Sequence, residues 1–524
     1  MRSRALFAGV VLSCALVSGG WLVSRGLMGA TRTRADRSRL FDQVFQHISR
    51  EFVDTLSDSL LYVRAADGLV GELHDPHSEY LSPELLARLS ERTSGRYAGV
   101  GAQIDIRDGW ITVVSPLAGG PALDAGVQTG DRVIQVDGKP MRDLALDEAR
   151  RALRGPPGSV VHVRVERPGV LTPIDFTLTR REIRVRSVQH AALLRDGVGY
   201  VSLSIFSEQS APDLARAIDS LTAAGMKTLL FDLRGDPGGL LDQGVGIADL
   251  FLDPGQRIVS MRGRTADASQ SYADRSAQRW PGLPIAVLVD SLSASAAEIV
   301  AGALQDHDRA LILGRPTYGK GSAQSVFPLQ NGGALKLTTA LWFTPSGRSI
   351  NRTRGGDDED EPRPDSTAPR PRYKTDDGRA VLGGGGITPD VVIPPAPIAP
   401  VDTSFPRSLG DQIPKFRDAL TDYALSLKAS RAITSPDFTV TPDMRAELLR
   451  RMRAHGVIVD GAAYAAAGSW VDRQLGYEIE RYTFGTEAEF ARRLKNDSTV
   501  ARALRIVAGA SSPGALIARG ARAR

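Results

Sequence analysis

Apolar residues are spaced differently in four successive parts of the chain. In the first part they recur at intervals of one helical turn, at Leu40, Val44, Ile48 and Phe52. This spacing predicts helices over residues 36–94. Short alternating runs predict strands over residues 95–183, with one short helix at residues 146–153. Strands then alternate with helices over residues 184–395, the order of an α/β domain. Helical spacing returns over residues 396–524, with one helix predicted over residues 464–482 and a final one over residues 490–504.

Three apolar strands of the α/β part end in polar or glycine-rich segments. The strand at residues 227–233 runs into Asp-Leu-Arg-Gly-Asp-Pro-Gly-Gly at residues 232–239. The strand at residues 285–289 is followed by a predicted helix over residues 295–305. The strand at residues 310–313 leads to Gly319-Lys320-Gly321. The ends of these strands are therefore where we expect the chemistry.

Two stretches do not fit the alternating pattern. Residues 352–379 are Pro-rich and charged, with an acidic run at residues 357–361. They cannot bury enough apolar surface to fold, so they are expected to form an exposed loop. Cation binding by the acidic run is the alternative, and composition favours a solvated loop. Residues 396–406 are expected to be a linker to the helical C-terminal region.

Composition excludes several classes of function. The net charge is +5, and the arginines are scattered without interleaved aromatic residues, which argues against nucleic-acid binding. The one cysteine, Cys14, lies in the N-terminal apolar run. The remaining chain therefore has no disulfide, no cysteine metal site and no cysteine nucleophile. His74 and His77 flank a proline turn and fall short of a zinc ligand set. No metal and no cofactor are expected.

The N-terminal residues predict an export signal. Residues 5–28 are largely apolar and follow Arg2 and Arg4, as in a signal peptide or signal-anchor, assigned to residues 1–30. Arginines between residues 32 and 39 conflict with a simple anchor orientation, and cleavage near Ala30 would remove that conflict. The sequence leaves cleavage open. We expect an exported protein, periplasmic or anchored in the inner membrane facing the periplasm.

Ser295 and Lys320 are candidate chemical groups. A serine before a helix lies beside free N–H groups and a partly positive helix end, which suits an acyl-transfer oxyanion. A lysine between glycines can enter a dry site, where desolvation lowers the pKa of an amine and lets it act as a base. The structural alternatives are a capping box from Ser295 to Glu298 and an exposed loop lysine.

Several motifs together resemble the carboxyl-terminal processing (tail-specific) protease family. They occur in family order over roughly residues 40–395: Asp-Pro-His-Ser-Glu-Tyr-Leu (75–81), residues 232–239, Ser-Ala-Ala-Glu (295–298), Thr-Tyr-Gly-Lys-Gly (317–321) and Gly-Ile-Thr-Pro-Asp (386–390). The resemblance implies a crotonase-like protease core with a Ser/Lys dyad of Ser295 and Lys320. It further implies that Gln324 supports the lysine.

The same resemblance implies an oxyanion hole. The N–H of Ala296 is joined by that of Gly238 or Gly239, with the choice between the glycines left open. Two positions depart from the family pattern. Ala297 replaces a non-catalytic serine, and Asp236 stands where Asn is usual. Asp236 is therefore expected to bring charge into the loop where the family has none.

Residues 95–183 resemble a PDZ domain inserted before the α/β core. The resemblance implies that the glycine-rich loop presents N–H groups to the terminal carboxylate of a peptide, with the residues Tyr97, Ala98, Gly99, Val100 and Gly101. Successive N–H groups in such a turn form an anion-binding nest, and the next strand can pair with an extended peptide. The alternative is a glycine turn without a ligand.

The expected function is a serine endopeptidase that recognises protein C-terminal tails through its PDZ domain. Its expected partners are proteins with accessible C-terminal tails, with an adaptor or a second copy of the chain as further partners. A catalytically inactive PDZ scaffold and a thioester enzyme on a crotonase-like core are the alternatives. A histidine triad is disfavoured because His307 lies about 15 Å along the predicted helix from Ser295.

Overall fold

The computed structural model describes residues 38–352, 370–396 and 399–523. The predicted leader at residues 1–30, with Cys14, and the acidic run at residues 357–361 lie outside the described residues. Within them, no helix combines the length and apolar character needed to cross a membrane. The described chain forms two compact units. Of the described residues, 38–84 and Gln324–Thr338 form one unit, and the other contains Leu85–Ala323 and the described residues from Thr339 onward.

The secondary structure follows the predicted order. The helices are α1 (38–51), α2 (Asp58–Gly71), α3 (Pro83–Ser94), α4 (Pro121–Asp124), α5 (Leu146–Leu153), α6 (Ser210–Ala223), α7 (Leu241–Asp249), α8 (Ala296–Asp306), α9 (Pro400–Leu409), α10 (Ile413–Ser430), α11 (Pro442–Ala454), α12 (Gly461–Ala466), α13 (Gly468–Thr483), α14 (Thr486–Lys495), α15 (Ser498–Val507) and α16 (Pro513–Ala523). The strands are β1 (Glu79–Leu81), β2 (Arg96–Gly99), β3 (Ala102–Arg107), β4 (Trp110–Pro116), β5 (Arg132–Val136), β6 (Lys139–Pro140), β7 (Val160–Glu166), β8 (Ile174–Thr179), β9 (Arg181–Arg184), β10 (Val188–Leu193), β11 (Val198–Leu203), β12 (Thr228–Asp232), β13 (Arg257–Gly263), β14 (Ser271–Ala273), β15 (Ile285–Val289), β16 (Leu311–Gly314), β17 (Ser322–Pro328), β18 (Ala334–Phe343), β19 (Arg372–Lys374), β20 (Ala380–Leu382) and β21 (Val391–Val392).

The first unit holds α1, α2 and β1. β1 pairs antiparallel with the Ala334–Lys336 part of β18. α2 begins after Ser57, whose hydroxyl accepts the Leu60 N–H. The periodic apolar residues of the first helical segment are all exposed by more than a third, at Leu40, Val44, Ile48 and Phe52. Their spacing therefore predicts the helix, but their side chains are not core residues.

A six-stranded sheet forms the centre of the second unit, in the order β10-β11-β12-β15-β16-β21. β10 is antiparallel to β11, and the other neighbours are parallel. Residues 228–232 and 285–289 are buried throughout, as expected for parallel strands covered on both faces. Helices α6, α7 and α8 pack on one face, and α15 and α16 pack on the other. The carboxyl ends of β12, β15 and β16 consequently meet at one edge.

The segment before this sheet has its own core. β3, β4, β5, β7 and β8 form an antiparallel sheet in that order, with β6 beside β5, and its inner face packs with α5. β3 is an edge strand of this sheet. β2 pairs separately with β9, at Arg96–Gly99 and Arg181–Arg184.

The structure differs from the expectations in three places. Residues 370–379 are not an exposed loop, because Arg372–Lys374 pairs with β20 and Arg379 forms ion pairs with Asp308 and Asp390. The expected linker contains α9, whose Phe405 and Leu409 are buried. The single helix expected between residues 464 and 482 is two helices, α12 and α13, and α14, α15 and α16 follow instead of one final helix.

Candidate active site

Three loops at the carboxyl ends of parallel strands are joined by backbone hydrogen bonds. The Ala294 N–H, in the turn after β15, donates to the carbonyl oxygen of Asp236, in the loop after β12, at 2.9 Å. The Tyr318 N–H, in the loop after β16, donates to the carbonyl oxygen of Ser293 at 3.0 Å. The segments that carry the predicted serine, lysine and oxyanion residues therefore form one site.

Ser295 adopts a strained backbone conformation immediately before α8. Its φ is 54° and its ψ is −116°, a left-handed φ that is uncommon for a residue with a side chain. Such outliers persist where the surrounding structure enforces them, often at functional sites. Ser295 is half-buried, and its hydroxyl makes no cap hydrogen bond. The turn therefore presents the hydroxyl beside the start of a helix instead of using it as a cap.

The carboxylate of Glu298 joins the serine turn to the lysine loop. One oxygen accepts the Thr317 hydroxyl at 2.5 Å and the Gly319 N–H at 2.7 Å. The other accepts the N–H groups of Ser295 and Lys320, each at 2.9 Å. Because both N–H groups donate to the same oxygen, the backbone nitrogens of Ser295 and Lys320 lie no further apart than the sum of these two distances. Glu298 is fully buried, and burial raises the pKa of Glu298 while the four donors oppose the rise.

The backbone around Lys320 is held by close contacts, and its side chain is half-buried. The Lys320 carbonyl accepts the indole N–H of Trp342 at 3.1 Å. A Cβ atom on Gly319 would lie 3.0 Å from the Arg352 Cβ, and one on Gly321 would lie 2.9 Å from the Asn351 Cβ. The glycines on both sides are therefore required by the close approach of these neighbours.

Gln324 lies on β17, four residues after Lys320, in the first compact unit. Its side-chain amide donates to the Thr338 hydroxyl on β18 at 3.1 Å. This bond fixes the side chain within its own unit. Support of the lysine by Gln324 stays a prediction.

The two glycines that the sequence left open as oxyanion donors differ in the structure. Gly238 has a φ of 87°, and a Cβ there would lie 2.8 Å from both the Ser295 Cβ and the Ala296 nitrogen. Its N–H donates to the Asp236 carboxyl at 2.8 Å. Among the described residues, the N–H of Gly239 has no acceptor. Ala296 is the first residue of α8, so its N–H lacks an intrahelical partner.

His307 lies at the other end of α8 from Ser295. Its Nδ1 is 2.7 Å from the Asp376 carboxylate, and its Nε2 is 2.7 Å from the Arg257 carbonyl oxygen. The imidazole is thereby held away from the serine turn. A triad built on this histidine has no support in the geometry.

A groove of about 240 Å³ lies between β3 and α5. It is lined by four of the five predicted peptide-binding residues, Tyr97, Gly99, Val100 and Gly101, but not by Ala98. Arg150 and Arg154 also line it. The Arg154 guanidinium lies 4.8 Å from the centre of the Tyr97 ring and pairs with Glu91 at 2.5 Å. A strand edge and a cationic end in one groove can hold an extended peptide and its carboxylate.

Sequence reasoning missed the part played by Glu298. Its position three residues after Ser295 suggested a helix cap, which accounts for only one of its four hydrogen bonds. The other three come from residues 317, 319 and 320. The only signal was an acidic residue in the largely apolar first part of the helix, and that signal does not reveal which loop the carboxylate contacts.

Comparison with known proteins shows two matching families. The profile of peptidase family S41 matches residues 197–360, and that of the PDZ domain matches residues 112–167. A carboxy-terminal-processing protease of Bartonella bacilliformis is 38% identical over 347 residues, covering 66% of this chain and 78% of the relative. The carboxy-terminal processing protease CtpA of Bacillus subtilis is 32% identical over 356 residues, covering 67% of this chain and 76% of the relative.

Among solved structures, the photosystem II D1 C-terminal processing protease is similar at 28% identity. The match covers 69% of this chain and 94% of that protein, with a TM-score of 0.36.

These matches, to a chain whose serine turn and lysine loop are joined in one site, define a serine protease that carries a PDZ domain. The chain belongs to peptidase family S41, among the carboxy-terminal processing proteases. Its relatives are named proteases, which disfavours the inactive scaffold.

Proposed function

We propose that Ser295 is the nucleophile of this protease and Lys320 its general base. The observation that carries this proposal is the shared Glu298 oxygen, which accepts the backbone N–H of both residues at 2.9 Å. This arrangement holds the two residues in one site although they are 25 positions apart in the chain. Nucleophile and base must be held in this way for proton transfer to accompany attack.

The reaction follows the usual course of acyl transfer. Neutral Lys320 takes the proton of the Ser295 hydroxyl as its oxygen bonds to the scissile carbonyl carbon. The N–H groups of Ala296 and Gly239 then stabilise the negative oxygen of the tetrahedral intermediate. When the C–N bond breaks, the Lys320 ammonium protonates the leaving amine. Water, deprotonated by Lys320, attacks the acyl-serine, and Ser295 regains its proton as the ester bond breaks. Gln324 supports Lys320 in this scheme.

The PDZ groove selects substrates by their C-terminal tails. An extended tail adds to the free edge of β3, with its carboxylate at the Tyr97–Gly101 loop. Arg154 at that end supplies a cation for the carboxylate. The substrates are therefore proteins or peptides with accessible C-termini.

The proposal also includes the cellular location of the enzyme, the type of its core fold and its assembly partner. The basic and apolar leader supports export, with the enzyme in the periplasm or anchored in the inner membrane facing it. The parallel sheet with helices on both faces supports a crotonase-like core. An adaptor or a second copy of the chain is the expected assembly partner.

The decisive experiment compares the purified wild type with Ser295→Ala and Lys320→Ala on a protein with an unstructured tail. Both variants should lose cleavage by at least about 10³-fold while their melting temperatures stay close to wild type. Ser291→Ala, an exposed serine in the same turn, is the matched control and should remain active. Equal cleavage by all these proteins would overturn the dyad.

A second comparison tests the groove. A tail ending in a carboxamide should be cleaved more slowly than the same tail with a free carboxylate, and Arg154→Gln should reduce that preference. If both tails are cleaved equally by the wild type, recognition does not depend on the terminal carboxylate.

A further inference from the structure

Asp236 connects the glycine loop to the turn that presents Ser295. Its carbonyl oxygen accepts the Ala294 N–H at 2.9 Å, and one of its carboxyl oxygens accepts the Gly238 N–H at 2.8 Å. Gly238 lies directly against the Ser295 side chain. The Asp236 side chain is completely inaccessible to solvent. Its position therefore sets the distance between the glycine loop and the serine.

The second carboxyl oxygen of Asp236 is buried and has no hydrogen-bond partner among the described residues. A buried anion with a single neutral donor is not compensated for its lost hydration. Burial accordingly raises the pKa of Asp236 to about 8, and the Gly238 hydrogen bond opposes this rise only in part. The burial and the unpartnered oxygen both favour the neutral carboxylic acid over the carboxylate at neutral pH.

The charged groups of the surrounding segments do not account for the raised pKa of Asp236. On its own loop, Arg234 pairs with Asp232 and Asp497. In the serine turn, Asp290 accepts the Gly235 and Ser293 N–H groups at 3.0 and 3.1 Å. The nearest segments also carry the charged residues Glu208, Asp242, Glu298 and Lys320. None of these groups contributes to the raised pKa of Asp236, which burial causes.

We propose that Asp236 is a positioning residue that works as a neutral carboxylic acid, holding Gly238 against Ser295 while placing no negative charge beside the developing oxyanion. This inference rests on the proposed role of Ser295. Ionised Asp236 would put a second negative charge close to the tetrahedral intermediate, and like charges in a site of low dielectric repel strongly. Proteolysis should therefore need Asp236 in its protonated form.

The pH dependence of cleavage tests the inference. The wild-type kcat/KM should fall above about pH 8, by about tenfold for each further pH unit. Asp236→Asn keeps a neutral acceptor for the Gly238 N–H and cannot ionise. It should stay within about threefold of wild type at pH 7 and lose the alkaline decrease. An unchanged alkaline decrease in this variant would overturn the inference.

Asp236→Ala separates positioning from charge. It removes the acceptor for Gly238 without adding charge, so kcat should fall at least about tenfold at every pH, with KM little changed. Wild-type kcat in a folded Asp236→Ala would contradict the positioning role. If this variant does not fold, the pH profile of Asp236→Asn still decides the question.

Unfolding provides a measurement that does not depend on activity. The folded pKa of Asp236 lies above the value of about 3.9 for an unfolded aspartate. Its contribution to the free energy of unfolding is thus complete below about pH 4 and is lost as the pH rises to about 8. The test compares Ser295→Ala with the double variant Ser295→Ala/Asp236→Asn. As the pH rises from about 4 to about 8, the free energy of unfolding of Ser295→Ala should fall relative to that of the double variant, because asparagine cannot ionise. A constant difference across the range would contradict a buried neutral acid.

The two proposals fail in distinguishable ways. Cleavage by Ser295→Ala would refute the proposed nucleophile. Loss of cleavage in Ser295→Ala, together with identical pH profiles for the wild type and Asp236→Asn, would refute only the role of Asp236.

Discussion

At the scale of single residues, Glu298 has the most consequential side chain of the site. It lies within a helix whose residues are all buried, where an anion is costly unless donors surround it. Four donors from two loops meet this requirement. The cost of burying the charge is thus offset by the contacts that bring Ser295 and Lys320 together.

Glu298→Gln tests this role. Glutamine keeps the size of the side chain, but its NH₂ group replaces one of the two oxygens that accept hydrogen bonds. The two donors that point at that oxygen would then be buried without an acceptor. We expect kcat/KM to fall about 100-fold or more and the free energy of unfolding to fall by about 3 kcal/mol, measured by peptide cleavage and urea unfolding. The exposed Glu208→Gln is the control and should behave as wild type. Full activity in Glu298→Gln would show that the four bonds do not organise the site.

Gly238→Ala tests the close approach of the glycine loop. The added Cβ would lie 2.8 Å from the Ser295 Cβ at a φ of 87°, so we expect kcat to fall about 100-fold and stability by about 2 kcal/mol. Gly246→Ala, in α7, is the matched control. Its Cβ would make only an ordinary contact of 3.6 Å, and the substitution should be neutral or stabilising by up to about 1 kcal/mol. Equal effects of the two substitutions would argue against a special constraint at Gly238.

At the scale of elements, α8 is fixed at both ends. Its start carries Ser295 and Glu298, and its last turn contacts Arg348. This arginine is fully buried and donates to Gln305 at 2.8 Å and Asp306 at 2.7 Å. Burial lowers the pKa of Arg348, and the Asp306 carboxylate opposes this effect. The helix that presents the serine is therefore held in position by a buried ion pair at its far end.

Arg348→Met should break this anchor. Removing one partner leaves the Asp306 carboxylate buried and unpaired, which should cost about 3–5 kcal/mol of unfolding free energy, measured by chemical denaturation. The control is Arg372→Met. Arg372 is exposed on β19, so this substitution should change the free energy of unfolding by less than about 0.5 kcal/mol. A wild-type denaturation midpoint for Arg348→Met would show that the pair does not hold α8.

At the scale of the whole molecule, the C-terminal helices contact the PDZ domain. Buried Arg107, at the end of β3, donates to Thr421 on α10 at 3.1 Å and to Asp105 at 2.6 Å. Its guanidinium also lies 4.0 Å from the Glu478 carboxylate. α10 makes a further contact through Lys428, whose ammonium donates to the Thr129 carbonyl oxygen. The C-terminal region therefore restrains the PDZ domain.

Arg107→Met should loosen this contact. It removes the hydrogen bonds to Thr421 and Asp105 and one of the two cations beside Glu478, whose other partner is Arg481. We therefore expect faster hydrogen exchange in β3 and α10 and a loss of about 2 kcal/mol in unfolding free energy. Arg417→Met is the matched control, since Arg417 pairs with the same Asp105 but is half exposed. It should cost less than about 1 kcal/mol. Equal effects of the two substitutions would mean that Arg107 does not hold the PDZ domain and the C-terminal helices together.

An element can be predicted from the sequence when the residues that stabilise it lie within the segment itself. The strand at residues 285–289 and the helix at residues 146–153 were predicted at their observed bounds, because their apolar spacing lies within the segment itself. The strand at residues 372–374 was missed. It pairs with residues 380–382, and Arg379, just before them, forms ion pairs with the distant residues Asp308 and Asp390, which the local composition does not reveal.

By itself, the sequence determined the order of the elements, the protease and PDZ families, and the segments that carry the candidate serine, lysine and oxyanion groups. These depend on periodicity and on motifs of adjacent residues. Only the tertiary structure decided that Glu298 binds both loops, that the Gly238 N–H is occupied by Asp236, and that Asp236 is buried without a counter-ion. These outcomes depend on desolvation and close approach, which are set by atoms far apart in the chain.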